Sequence, residues 1–240
     1  ETEAKEIAFS DWSPSNAHST PLIDGNNILT YTDYDSERSG IYAKLTDSTN
    51  TPIGDSFRVN GVTKNTEFNP STAELSDGNV VFVWESGIKN FASSISGRVF
   101  SPVDNSLGNE FIINSGNYGP GGHSPKIISL ENGNFVVVWS GDDGNVNNKD
   151  DVFGKILNSS GEVINNLALG SSINTNTDSW QLKPDVIDLV GDNFLVTWGS
   201  SHDGDGYQGR GQLFDLDGNI IGNEFSIPLR LLWMISLCSH

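Results

Sequence analysis

The chain repeats itself, and the repeat constrains its fold more than any other feature. The run Pro70-Ser71-Thr72-Ala73-Glu74-Leu75-Ser76-Asp77-Gly78-Asn79-Val80-Val81-Phe82-Val83-Trp84 returns as Pro125 to Trp139 and again as Pro184 to Trp198. A weaker copy runs from Pro21 to Tyr31, and the anchors Tyr31, Trp84, Trp139 and Trp198 stand 53, 55 and 59 residues apart. A period in that range belongs to an array of small supersecondary units, each unable to bury its apolar face alone.

Each unit reads as four strand-like segments. The first begins at the proline, as in Pro125 to Leu130, and leads to a turn such as Asp77-Gly78-Asn79, whose residue types suit the positive backbone angles of a tight hairpin. The second segment (Val80 to Trp84, Phe135 to Trp139, Phe194 to Trp198) is apolar on both faces, so it is expected to be buried on both sides. A variable polar loop precedes the third, which carries a small residue and then a long polar one: Ala43-Lys44, Gly97-Arg98, Gly154-Lys155 and Gly211-Gln212. The fourth is seen in Gly108-Asn109-Glu110-Phe111-Ile112-Ile113-Asn114 and, degenerately, in the copy that ends Ser172-Ile173-Asn174. The closing asparagines Asn60, Asn114 and Asn174 keep a nearly constant distance to the next proline. Four antiparallel strands per unit of about 55 residues predict an all-β chain, a β-propeller of about four four-stranded blades.

The units fall at about 12–60, 61–114, 115–174 and 175–227, so residues 1–227 form the array. Residues 7–11 sit where an extra outer strand would precede the first unit. Residues 228–240 share neither pattern nor composition with the body and form an atypical tail holding the only Met and the only Cys.

Composition narrows the partners. Asp plus Glu number 31 against 13 Lys plus Arg, a formal charge of -18. Such a surface repels polyanions, so neither nucleic acid nor an anionic membrane is expected as a partner. No apolar run approaches the roughly 20 residues needed to cross a bilayer, so membrane insertion is not expected. With Cys238 as the single cysteine, a disulfide framework and a cysteine zinc site within the chain are excluded.

The loops after the second strand share one rim and are rich in acids. Asp33 and Asp35, then Asp142, Asp143 and Asn145, then Asp203 and Asp205, alternate oxygen donors with small residues. That pattern suits Ca²⁺, which takes six to eight oxygen ligands, and equally suits plain turns. Asp215-Leu216-Asp217-Gly218-Asn219 has a similar look but sits at a hairpin, where a turn is expected. The four histidines show no metal-ligand spacing, and no nucleophile elbow, zinc-protease helix or phosphate loop is present. The repeated tryptophans end a buried strand and are expected in the core. Trp12 and Trp180 lie in polar connections and are the better candidates for exposed contacts with a ligand.

The unit with its Leu-x-Asp-Gly-Asn-Val-Val-Phe-Val-Trp strand and its Gly-Asn-Glu-Phe-Ile-Ile-Asn ending resembles tandem repeats of large secreted and surface proteins of bacteria. Those often accompany RTX-type calcium repeats, and the blade with an acidic loop is more distantly similar to FG-GAP repeats of integrin-like propellers. The resemblance covers roughly residues 7–227. It implies an extracellular or cell-surface adhesive or recognition role. With the repeats, the acidic surface and no catalytic motif, a non-catalytic module that binds a glycan or a surface protein is expected, with Ca²⁺ on the acidic loops as stabiliser. The alternative is a hydrolase acting on polysaccharide, with its site where the blades converge.

Overall fold

The computed structural model describes residues 15–34, 38–87, 93–114, 122–142, 149–189, 192–201 and 206–228. The expected extra strand at 7–11 and the tail from 229 lie outside them. Among the described residues sixteen strands form four separate four-stranded antiparallel sheets, each made of strands consecutive in the chain. Blade 1 holds β1 (Ser15–Pro21), β2 (Asn27–Tyr34), β3 (Ser39–Thr46) and β4 (Pro52–Arg58). Blade 2 holds β5 (Thr66–Glu74), β6 (Val80–Gly87), β7 (Ser93–Ser101) and β8 (Ser106–Asn114). Blade 3 holds β9 (His123–Ser129), β10 (Phe135–Asp142), β11 (Asp150–Leu157) and β12 (Val163–Asn166), followed by a short 3₁₀ turn at Leu167–Gly170. Blade 4 holds β13 (Gln181–Leu189), β14 (Asn193–Ser200), β15 (Gln208–Asp215) and β16 (Ile220–Ile227). This is the β-propeller architecture that the repeat predicts.

The period-2 geometry of a strand explains why the second strand is apolar throughout. In β6, Val80, Phe82 and Trp84 pack toward blade 1 with Ile28, Ile41 and Ala43. Val81 and Val83 point the other way, into blade 3 beside Phe135, Val137 and Trp139. Blade 3 repeats the scheme, sending Val136 and Val138 to Phe194, Val196 and Trp198 of blade 4. The three cores therefore lie between consecutive blades, and Trp84, Trp139 and Trp198 are all buried in them.

The small-then-long pair of the third strand ties blades together. Arg98 donates from Nη1 to the Val59 carbonyl of blade 1 at 2.8 Å, and Lys155 donates from Nζ to the Ile113 carbonyl of blade 2 at 2.7 Å. The glycine before each lies under a neighbouring apolar side chain: a Cβ on Gly97 would sit 2.6 Å from Phe111, and one on Gly154 would sit 2.6 Å from Leu167. The closing asparagines fasten each blade's own third strand to the connection that follows. Asn60 Oδ1 accepts from the Ile41 amide, and Asn174 Oδ1 accepts from the Val152 amide. Each also donates into the following connection, to Val62 O and Asn176 O.

One alignment differs from the sequence reading. The first strand starts before the proline, and Pro21 does not occupy the place of Pro70. Pro21 ends β1 opposite Asn27. The register puts Ala17 at the proline position, because His18 pairs Thr30 as Ser71 pairs Val83. What the four blades share is the residue before it, a bulge with left-handed backbone: Asn16 (φ 53), Asn69 (φ 51), Ser124 (φ 53) and Lys183 (φ 53).

Candidate functional site

The innermost strands are β1, β5, β9 and β13, which pack on one another in that order. Their starts, with the ends of the second strands, form one rim of the convergence. There a continuous polar network crosses three blades. Asn16 Nδ2 of blade 1 donates to Asn69 Oδ1 of blade 2 at 3.0 Å, and Asn69 Nδ2 donates to Glu85 Oε2 at 3.0 Å. The other oxygen of Glu85 lies 3.8 Å from His123 Nδ1 of blade 3, and His123 Nε2 lies 3.1 Å from Asp150 Oδ2.

The fold places these groups by register. The left-handed residue at Asn69 turns its amide toward the residue that follows Trp84, which is Glu85. His123 pairs with Ser140, the residue after Trp139, and Asp150 pairs with Asp142 across β10 and β11. Glu85 and Asp150 are almost fully buried, whereas about a third of the His123 side chain remains exposed. The Asp150 carboxylate, and beyond it Glu85, push the His123 pKa up to about 10, so the imidazolium is the form present at neutral pH. Asp151, beside Asp150, is buried and accepts from Asn174 Nδ2.

A further carboxyl sits at the blade 1–blade 2 seam of the same rim. Glu67 is fully buried, and its Oε1 accepts from Ser86 Oγ at 3.0 Å. Its Oε2 faces Trp84 Nε1 outside strict hydrogen-bond geometry, yet the indole N–H still favours the charged carboxylate. Burial pushes the Glu67 pKa up to about 7, against the hydrogen bond from Ser86. The same position in blade 4 is Gln181, which accepts from Trp198 Nε1 at 2.9 Å and donates to Ser179 and Asn176 oxygens. In blade 3 it is Gly122, whose missing side chain leaves room for Trp139.

Of the acidic-loop residues, two lie within the described residues and they stand apart. Asp33 is buried near the end of β2 and accepts from the Tyr34 amide at 2.8 Å. Asp142 ends β10 opposite Asp150. Asp35, Asp143, Asn145, Asp203 and Asp205 fall outside the described residues, as does Trp12. Among the described residues no three His, Cys, Asp or Glu side chains are arranged to hold a metal ion. The Asp215–Asn219 stretch is a turn, in which Asp215 Oδ1 accepts from the Asp217 and Asn219 amides. Trp180 is exposed on the rim that carries Gln181, its backbone bonded to Ser201 in both directions.

No protein-family model and no curated protein matches the chain. Solved structures do. The GH93 α-L-arabinofuranosidase of Fusarium graminearum, in complex with arabinobiose, superposes with a TM-score of 0.66 at 10% identity, over 91% of this chain and 68% of that one. The Penicillium chrysogenum α-L-arabinanase, also with arabinobiose, gives 0.61 at 11% identity, over 90% and 68%. A thermostable family-43 glycoside hydrolase gives 0.57 at 15% identity, over 88% and 76%. The chain thus spans about two thirds of the first two, and the likeness defines it as a β-propeller. The comparison corrects the expectation of a non-catalytic adhesion module, because these similar structures are glycoside hydrolases; they do not bear on the resemblance to RTX-associated and FG-GAP repeats. Among the described residues no helix is long and apolar enough to cross a membrane.

Proposed function

We propose that this protein hydrolyses glycosidic bonds in a polysaccharide, at the rim where the inner strands converge. The observation that carries the reading is the Glu85–His123–Asp150 cluster, two buried carboxylates from different blades held on the two nitrogens of one imidazolium. Glycoside hydrolysis needs one carboxyl to protonate the leaving oxygen and another to activate water or attack the sugar. One imidazole and its contacts lie between the two carboxylates. The propeller hydrolases similar to this chain support the class of reaction, and their arabinobiose complexes favour arabinose-containing glycans as first substrates to try. Trp180, exposed on the same rim, is suited to stack on a sugar ring.

The test is release of reducing ends from a panel of arabinan, xylan and pectin. Turnover on at least one supports the proposal. Binding without turnover across the panel contradicts it. An extracellular or cell-surface location goes with this reading, since polysaccharides of that kind lie outside cells. We further expect the acidic loops to bind Ca²⁺. Millimolar Ca²⁺ should then raise the Tm beyond a NaCl control of matched ionic strength, by about 2.7 kcal/mol of stability at a hundredfold excess over Kd; no shift beyond that control would make the loops turns alone.

A further inference from the structure

The inner strands carry a second set of residues, one register step inward from the network. His18 pairs Thr30, Ser71 pairs Val83, Lys126 pairs Val138 and Asp185 pairs Thr197, so these four are the same position in the four blades. This position carries a different chemistry in each blade: an imidazole, a hydroxyl, an ammonium and a carboxylate. The strands converge enough that Lys126 of blade 3 bears electrostatically on both His18 of blade 1 and Asp185 of blade 4. Lys126 is exposed, and His18 and Asp185 are half-buried, so the set opens to solvent. Burial, and then the nearby ammonium, lower the His18 pKa to about 4, which leaves a neutral ring able to donate or accept.

Lys183 adds a second cation. It occupies the left-handed bulge position, where blades 1 and 2 use Asn. Asparagine tolerates that backbone best, and other non-glycine residues adopt it at a cost of roughly 1–2 kcal/mol. Blade 4 therefore accepts strain to hold an exposed ammonium at this rim. Lys126 and Lys183 are the only Lys or Arg residues on the four inner strands, in a chain with 13 such residues against 31 acids.

We propose that Lys126 and Lys183, flanked by His18, form a subsite for an anionic group of a glycan, a uronate carboxylate or a sulfate ester, next to the bond that is cut. The inference rests on the proposed hydrolase only for the word "cut"; the binding chemistry stands without it. A charge-assisted hydrogen bond to an ammonium contributes about 1.5–3 kcal/mol, roughly tenfold or more in affinity. The field of distant acids is screened beyond about 8 Å at physiological ionic strength, so the contact is decided by the two ammoniums against the half-buried Asp185 carboxylate near Lys126.

Calorimetric titration of the full chain at physiological salt tests this with three probes of equal length: an oligogalacturonate, a sulfated oligosaccharide and a neutral arabino-oligosaccharide. At least one anionic probe should bind roughly tenfold or more tighter than the neutral one. Lys126→Gln and Lys183→Asn should each remove most of that preference without lowering the Tm; the second restores the residue used by blades 1 and 2. Which anionic probe wins identifies a carboxylate or a sulfate as the group read. Equal or tighter binding of the neutral probe overturns the proposal, as does a preference that survives both substitutions. Binding of an anionic probe without turnover supports the subsite and counts against the hydrolase. Turnover of neutral glycans with no anionic preference overturns the subsite alone.

Discussion

Blade 2 and blade 4 build the same corner from different side chains. In blade 4, Gln181 joins Trp198 Nε1 to Ser179 and Asn176, and every polar atom of the corner is used. In blade 2, Glu67 stands in that place with one oxygen on Ser86 and the other facing the Trp84 indole N–H outside strict hydrogen-bond geometry. A buried polar group without a well-formed hydrogen bond costs stability, so the blade 2 corner is the poorer of the two as structure. The repeat therefore separates two uses of one position. Where the amide stands, the corner holds the fold; where the acid stands, a carboxyl with a pKa near 7 is kept on the rim of the proposed site. Perturbed carboxyls of that kind gather at functional sites.

The largest change is expected from Gln181→Glu, which aims a carboxylate at the Ser179 and Asn176 carbonyls that Gln181 now donates to. We expect a loss of about 3 kcal/mol at pH 8 in denaturant unfolding, shrinking as the pH falls and the acid protonates. Glu67→Gln is expected to act the other way, because Gln can accept from Trp84 as its counterpart accepts from Trp198. Free Glu titrates near 4.5 and folded Glu67 near 7. Between those values the folded state keeps a proton that the unfolded chain has lost, so stability falls as pH rises from about 4.5 to about 7 and stays at the lower level above. Glu67→Gln should therefore stabilise by about 2 kcal/mol at pH 8 and by little at pH 4. A gain that is the same at both pH values would show that Glu67 is not held protonated. The smallest effect separates the indoles. Trp198→Phe breaks a well-formed hydrogen bond and orphans Gln181 Oε1, so it should cost about 1 kcal/mol more than Trp84→Phe, whose indole N–H meets Glu67 only outside strict hydrogen-bond geometry. Equal losses would mean that the two corners are alike.

Much of the scaffold was legible in the sequence because it rests on repeated apolar residues. Trp84, Trp139 and Trp198 recur at the end of a strand buried on both faces, and the closing asparagines recur because Asn60 and Asn174 staple the third strand to the next connection. The first unit was misplaced by Pro21. The position needs a left-handed residue, which Asn16 supplies without a following proline, so the proline was a companion of the feature and not its cause. The site was hidden for a different reason. Glu85, His123 and Asp150 come from two blades and no local motif joins them; each looks ordinary in its own copy. Aligning the copies on their tryptophans would have given a signal, since Glu85 stands where the others carry Thr32, Ser140 and Gly199, and Glu67 stands where blade 4 carries Gln181. The acidic loops drew attention by composition, yet the carboxylates that converge on a partner lie on strands.

The central claim is that the Glu85–His123–Asp150 cluster does chemistry while the repeated positions around it only hold the fold. The most direct test compares initial rates of glycan hydrolysis for the wild type, Glu85→Gln, Asp150→Asn and, as a control, Glu131→Gln in the exposed turn between β9 and β10. General acid–base groups contribute about 10²–10⁴-fold to a rate. The account predicts a loss of that size in kcat for both cluster variants, with circular dichroism unchanged, and wild-type turnover for the control. Glu85→Gln and Asp150→Asn proteins that fold and still turn over substrate within a few-fold of the wild type would contradict it.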